Sequence, residues 1–504
     1  MSKSAMPGAI STTAMAGGGE GEVGRLRTAV LAGPGAAVTV DDAWLAGALR
    51  LLVDGDVIAA GLAREGHANK ARRRVLTAAV TVAAILGLCL FRRDNYNVVL
   101  ARMMASLPGA LAPGDGPPSG QALSAARDRL VGEPVRAVFE RTAGVGEAGP
   151  RSGSHLFGLL VTAFDGTVVD LAATAQMRQE FATPSGGRFP QARIVTLVAC
   201  GTRRVVAAAM DSCALSEQAL VDSLAGALRP GTLNLCDRNF FSMERFIAFS
   251  AAGAHLAWRV KNGAKSLPAT ILARLSDGSC LVRLRESDGM LARRRAKAAD
   301  RSLPRLPETI ARLVEFTLTV TDGRGRMRTS RFRILTTLTD HTLYPARQIA
   351  AAYAERWQVE LAYYNLKVTL RGAGTRLRGQ TPKLARQEIW GLLIVYNALV
   401  DLAVRTAVDL GVDPDQISFT IVLAFTRAAV TAEMPCAGCG HRPSDLRDPR
   451  QALTAAIASQ PLNRTGRHRT SPRTKTQREQ NTHATSLTPS RSSRRIYPKR
   501  HEGP

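Results

Sequence analysis

The amino-acid sequence predicts a mixed α/β protein with a mainly helical N-terminal part. Three observations carry that expectation. Between Leu156 and Lys261, short apolar runs of strand type are interleaved with helical spacing. Residues 263–345 alternate apolar and polar positions as antiparallel strands do. Helical patterning dominates residues 25–150 and returns from Tyr344 to about Val430. The chain has 504 residues, too many for one ordinary domain, and 45% of them are apolar, which excludes global disorder.

The elements follow in order. Residues 1–24 are small and Gly-rich, lack the apolar core of a signal peptide and read as a disordered leader. Residues 25–150 read as a helical N-terminal domain, with Gly109–Gly120 as a loop between helices. Within it, Val75–Phe91 (VLTAAVTVAAILGLCLF) is short for a membrane span and has arginines at both ends, so it reads as a buried helix and no membrane partner is expected.

Residues 151–262 hold the strand candidates LFGLLVTAF (Leu156–Phe164), ARIVTLVAC (Ala192–Cys200), RVVAAAM (Arg204–Met210), TLNLCD (Thr232–Asp237) and AHLAWRVK (Ala254–Lys261). A helix, Ser216–Leu228, stands before the fourth, with Ser216 as its N-cap. Residues 263–345 give three antiparallel strands interrupted by the basic run ARRRAKAADR. Residues 346–430 are helical, and 431–504, rich in Arg, Ser, Thr and Pro, read as a disordered basic tail.

Charge narrows the function. The formal net charge is +26, with 67 Lys+Arg against 41 Asp+Glu, the footprint of a polyphosphate partner, for which nucleic acid is favoured over a membrane surface. The seven cysteines are scattered and mostly in apolar surroundings, as buried thiols of a reducing compartment are. Cys436, Cys439 and His441 have the spacing of half a zinc site with no second pair at a usual distance, so a chance or partial site is favoured.

Three acids stand out. Asp165 is read as ending a strand before a Gly166–Thr167 turn, and Asp237 ends another, where α/β enzymes place their sites; a turn residue or helix cap is the alternative for each. In YAERWQVELAYYNLK, Tyr353, Arg356, Glu360 and Lys367 stand at i, i+3, i+7 and i+14, within roughly 60° on one helical face that also carries Tyr364. A solvated face with helical ion pairs is the alternative there. Phosphodiester chemistry needs such groups: two divalent ions held by carboxylates activate the nucleophile and stabilise the leaving oxygen, and Arg and Lys grip flanking phosphates.

These motifs together resemble the DDE transposases of the insertion sequence 4 family. The family signature Y-(2)-R-(3)-E-(6)-K is met by Tyr353, Arg356, Glu360 and Lys367. Its first acidic motif matches Phe164–Thr167, and its second matches Asp237–Phe241 with Arg259–Lys261. Weaker matches are FPQAR (Phe189–Arg193) and TPKLARQEIWGLL (Thr381–Leu393).

The resemblance implies an RNase H-like core, split by a β-rich insertion at 263–345 into parts at 151–262 and 346–430. It implies that Asp165, Asp237 and Glu360 bind Mg²⁺, with Mn²⁺ able to substitute, for cleavage of element ends and joining to target DNA by two-metal-ion phosphoryl transfer. Tyr353, Arg356 and Lys367, with Arg238, Arg259 and Lys261, would contact DNA. The expected partners are terminal inverted repeats, target DNA and a second copy of the chain; the expected place is the bacterial cytoplasm, at the nucleoid. A Trp in the family's insertion can receive a flipped base, and Trp258 lies just before that insertion. The run after Thr167, VVDLAATAQM, departs from the family's Pro-Asp-Thr and Asn, which implies a weakened turn beside Asp165 and keeps a catalytically inactive, DNA-binding relic as the alternative.

Overall fold

The computed structural model describes residues 51–67, 76–105, 118–144, 154–263, 267–321, 327–431, 449–463 and 494–498. The expected leader and Cys436, Cys439 and His441 lie outside them.

The described residues of the N-terminal part form helices: α1 (Gly55–Arg64), α2 (Ala78–Leu90), α3 (Tyr96–Ala105), α4 (Gly120–Arg129) and α5 (Pro134–Thr142). The apolar run is α2, started by Thr77, whose hydroxyl accepts the Val80 N–H, and buried from Val80 to Leu90. Its partner is α12 (Pro382–Leu410), the one described helix long and apolar enough to cross a membrane, yet mostly buried inside the molecule. The two cross closely at Gly391, where a Cβ would lie 3.0 Å from Cys89 Sγ and 3.0 Å from Ile85 Cγ2.

Charged side chains lock the crossing. Arg92 pairs with Glu388 in the interior, and that carboxylate also accepts the backbone N–H groups of Arg378 (2.9 Å) and Gly379 (3.0 Å). Buried Arg127 donates to Gln387 Oε1 (3.2 Å) and to the Leu384 carbonyl (2.9 Å). Buried charges persist only when satisfied in this way.

One sheet of 11 strands runs through the molecule. Its strands are β1 (His155–Leu156), β2 (Leu159–Asp170), β3 (Gln191–Ala199), β4 (Arg204–Ser212), β5 (Thr232–Cys236), β6 (His255–Arg259), β7 (Ala269–Arg274), β8 (Cys280–Leu284), β9 (Thr309–Thr321), β10 (Met327–Thr336) and β11 (Arg494–Pro498). The order is β4-β3-β2-β5-β6-β10-β9-β8-β7, with β1 on β2 and β11 on β9. β2, β5 and β6 are parallel to one another, whereas every other pairing is antiparallel. The strands from 263–345 extend the same sheet through β10, which pairs Ile334–Thr336 with Ala257–Arg259.

The remaining helices are α6 (Ala175–Glu180), α7 (Glu217–Ser223), α8 (Met243–Ala251), α9 (Asp288–Ala298), α10 (Ala346–Glu355), α11 (Trp357–Tyr364), α13 (Phe419–Thr431) and α14 (Pro449–Ala458). Ser216 caps α7 as expected, accepting from Ala219 N at 3.2 Å. The basic run is α9, capped by Ser287.

Two hydrophobic clusters lie on the sheet's two faces. Val161, Ala163, Leu233 and Leu235 join the one that includes α2 and α12, whereas Phe164, Cys236 and Trp258 join the one that includes α8. The edge strand β4 is closed by α12, because Asn397 accepts the Val205 N–H (2.9 Å) and donates to its carbonyl (2.8 Å).

Two expectations need correction. β2 does not end at Asp165: Thr167, Val168 and Val169 continue the strand, paired with β3 as far as Gln191, because β-branched residues with a partner strand outweigh the Asp-Gly turn signal. The tail is not all irregular, since α14 buries Leu453 and Ile457 against the helical core and β11 adds a strand to β9. Its Arg- and Ser-rich composition concealed those short elements.

Candidate active site

The parallel partner of β2 stops short. β5 pairs with Leu160–Ala163 only, so Asp165 lies beyond the last parallel pair, although β2 itself continues. Side chains alternate along a strand, so Asp165 faces the same side as Val161 and Ala163. Asp237, one residue past β5, shares the parity of Leu233 and Leu235. Both acids therefore face the layer that carries the third motif.

That motif is not one straight helix. α10 ends at Glu355, the chain turns at Arg356, α11 runs from Trp357 to Tyr364, and Asn365–Leu370 continue as a π-helical turn. Tyr353 is only 6% exposed and Arg356 7%. Tyr353 donates its hydroxyl to the Cys236 carbonyl at 3.2 Å, next to Asp237, and its ring packs on Phe332. Tyr363, outside the signature, donates to the Asp165 carbonyl at 2.6 Å and pairs with Thr196 Oγ1 at 2.9 Å. Two phenol hydroxyls thus latch α10 and α11 to the two aspartate-bearing strands.

Two of the acids, Asp165 and Glu360, meet on one guanidinium. Arg356 lies 3.0 Å from Glu360 Oε1 and 3.6 Å from Asp165 Oδ2. Burial alone would lower its pKa, but Tyr353, Asp165, Asp237 and Glu360 around it raise it instead. Asp237 takes the Arg238 N–H at 2.7 Å and has Arg259 at 3.8 Å. Burial pushes Asp165 up to about 6 despite Arg356 and the Gly166 N–H, and the negative charges of Glu360 and Glu217 add to the rise.

As donors the three carboxylates suit a hard divalent cation. Among the described residues no three acidic, His or Cys side chains already close on one metal position; Arg356 stands in the cationic place between Asp165 and Glu360.

The basic residues divide. Arg238 and Lys261 are exposed, Arg259 stacks 4.1 Å above the Phe332 ring, and Lys367 donates to Thr167 Oγ1 at 3.0 Å with its pKa lowered by burial. Tyr364 is exposed. Trp258 is fully buried and donates to Asn234 Oδ1 at 3.0 Å, so it is closed to a flipped base. The run after Thr167 is orderly: Asp170 accepts from Gln191 at 2.7 Å and Thr174 caps α6. Sequence reading missed Glu217 and Tyr363, which neither motif nor spacing marks, because their partners are distant in sequence.

Comparison with known proteins identifies the family. The family described as Insertion element 4 transposase N-terminal matches residues 45–140, and the family described as Transposase DDE domain matches residues 157–398. The transposase InsG for insertion sequence element IS4 of Escherichia coli (strain K12) is 30% identical over 380 residues, which cover 73% of this chain and 79% of that protein. Among solved structures, a piggyBac transposase synaptic complex with hairpin DNA aligns with a TM-score of 0.39 and 10% identity over 83% of this chain and 85% of that one, too slight a likeness to carry weight. On the strength of the N-terminal and DDE matches and of its identity to the insertion sequence relative, the chain belongs to the IS4 family of DDE transposases.

Proposed function

We propose that the chain cleaves the ends of its own element and joins them to target DNA, with Asp165, Asp237 and Glu360 as the acidic site. The placement of Asp165 and Glu360 against one guanidinium, with Asp237 at the end of the neighbouring parallel strand, carries the reading. The three carboxylates would hold Mg²⁺, or Mn²⁺ in its place; bound divalent ions activate an attacking oxygen and stabilise a leaving one.

The chain's own residues do the rest. Tyr353 and Tyr363 hold the aspartate strands against α10 and α11. Exposed Arg238 and Lys261, with Arg259, Arg356 and Lys367 behind them, supply cations for the phosphates of a DNA end. For Arg356 this means leaving the carboxylates, and the exchange of one oxyanion partner for another is chemically matched. Tyr353 serves through its carbonyl contact rather than by touching DNA, since it is buried.

The strand order supports an RNase H-like core at 151–262 and 346–430, with 263–345 as a β-rich insertion that extends its sheet. Residues 25–150 would be the DNA-binding N-terminal domain. Paired cutting of two ends favours a homodimer on DNA, working at the nucleoid in the cytoplasm. Family membership favours an enzyme over an inactive relic.

The test is cleavage of an oligonucleotide bearing the element's terminal inverted repeat, with Mg²⁺ or Mn²⁺. Each metal-held oxygen contributes several kcal/mol in the transition state, so Asp165→Asn, Asp237→Asn and Glu360→Gln should each lose at least about a hundredfold in rate. Wild-type rates in any of the three would remove that residue from the site.

A further inference from the structure

Glu217 is an acid that the three-residue signature does not include. It is the first residue of α7 and is partly buried beside the site. On one side its carboxylate occupies the space a side chain would need at Gly166: a Cβ there would lie 2.6 Å from Glu217 Cδ. A larger residue next to Asp165 would make that carboxylate move. On the other side Glu217 Oε2 accepts from Asn239 Nδ2 at 3.0 Å, two residues beyond Asp237.

Neighbouring bonds hold α7 in that position. Gln218 Nε2 donates to the Asn239 carbonyl at 3.0 Å and to its Oδ1 at 3.2 Å. Arg245 ties Asp222 of α7 (2.8 Å) to the Phe240 carbonyl (2.5 Å). One end of α7 is thus wedged between the segments that bear the two aspartates. The proximity also registers electrostatically, because Glu217 adds to the upward shift of Asp165 and of Tyr363.

We propose that Glu217 is a positioning residue of this site: through Gly166 and Asn239 it fixes the spacing between Asp165 and Asp237. This inference rests on the three-acid reading. Glu217 acts as spacer and hydrogen-bond acceptor, without touching substrate. The amide of Glu217→Gln retains the size and an acceptor oxygen, whereas Glu217→Ala and Asn239→Ala each remove the link.

Calorimetric titration of Mn²⁺ into the DNA-free protein, beside end cleavage, tests it. Lost support of a ligand's setting typically costs 10–100-fold in metal affinity or activity, so Glu217→Ala and Asn239→Ala should each weaken Mn²⁺ binding by about that factor. Glu217→Gln should stay within about threefold of wild type, and the double alanine variant should be no worse than Glu217→Ala alone, because the Glu217–Asn239 bond is already gone in that single variant. Asn239 is exposed, so its variant keeps the test usable if Glu217→Ala fails to fold. Near-wild-type Mn²⁺ affinity in both alanine variants, or additive losses in the double, overturns the inference. A Glu217→Gln as weak as Glu217→Ala overturns it too, by making the charge rather than the link decisive. Glu360→Gln is the control: full Mn²⁺ affinity and cleavage in that variant would sink the three-acid reading itself, a result distinct from any at Glu217.

Discussion

Asp165 is costly to keep charged in the metal-free protein. Its pKa rises from 3.8 to about 6, chiefly through burial. An acid raised on folding contributes stability below its unfolded value and loses it as pH climbs through the folded one. Asp165→Asn should therefore stabilise the protein by about 1–3 kcal/mol at pH 8 and by little at pH 4, measured by thermal or denaturant unfolding at both. Equal gains at both values, or a loss at pH 8, would contradict the burial account. Arg356 is the counterweight, and replacing it with Met leaves Asp165 and Glu360 facing each other without their cation. Because both carboxylates keep some exposure, the expected loss is about 1–3 kcal/mol, less than for a fully buried pair, and Mn²⁺ should restore part of it in melting experiments. At this scale the sequence marked Asp165, Glu360 and Arg356, which the fold places side by side. It could not show that Tyr353 is buried, since its partner, the Cys236 carbonyl, lies more than a hundred residues earlier in the chain.

Elements were legible where a periodic pattern met a clear boundary. β3, β4, β5, β6 and α7 fall within a few residues of the expected runs. β2 outran its expected end because strand pairing with β3 lies far along the chain and outweighs a local Asp-Gly signal. The apolar run at Val75–Phe91 announced burial, but its partner α12 became visible only in the fold. Their crossing gives a prediction: Gly391→Leu drives a side chain into Cys89 and Ile85, whose atoms already lie 3.0 Å from a bare Cβ. A loss of about 2 kcal/mol or more is expected in denaturant midpoints, against the gain that Gly→Leu gives in an uncrowded helix.

The whole molecule is joined through α12, which receives the N-terminal helices on one side and closes the edge strand β4 on another. Glu388→Ala would leave Arg92 charged and buried without its partner, so a loss of about 3–5 kcal/mol is expected. Limited proteolysis should then release the N-terminal helices before the sheet; simultaneous loss would show that they do not unfold as a separate unit. The net charge of +26 acts over the whole surface. If six to ten phosphates are contacted, affinity for nonspecific duplex should fall about 10³–10⁵-fold between 50 and 200 mM salt, and a flat salt response would deny the polyphosphate role.

The sequence alone determined the family, the basic charge and most strand positions, and it proposed the three acids, because these rest on residue identity and on patterns a few residues long. Tertiary structure alone decided that Arg356 takes the cationic place among the acids, that Tyr353 and Tyr363 latch them, and that Glu217 fills the gap at Gly166. The reason is physical: each of those contacts joins residues many positions apart, and only the packing of α7, α10 and α11 against the sheet brings them within reach of one another.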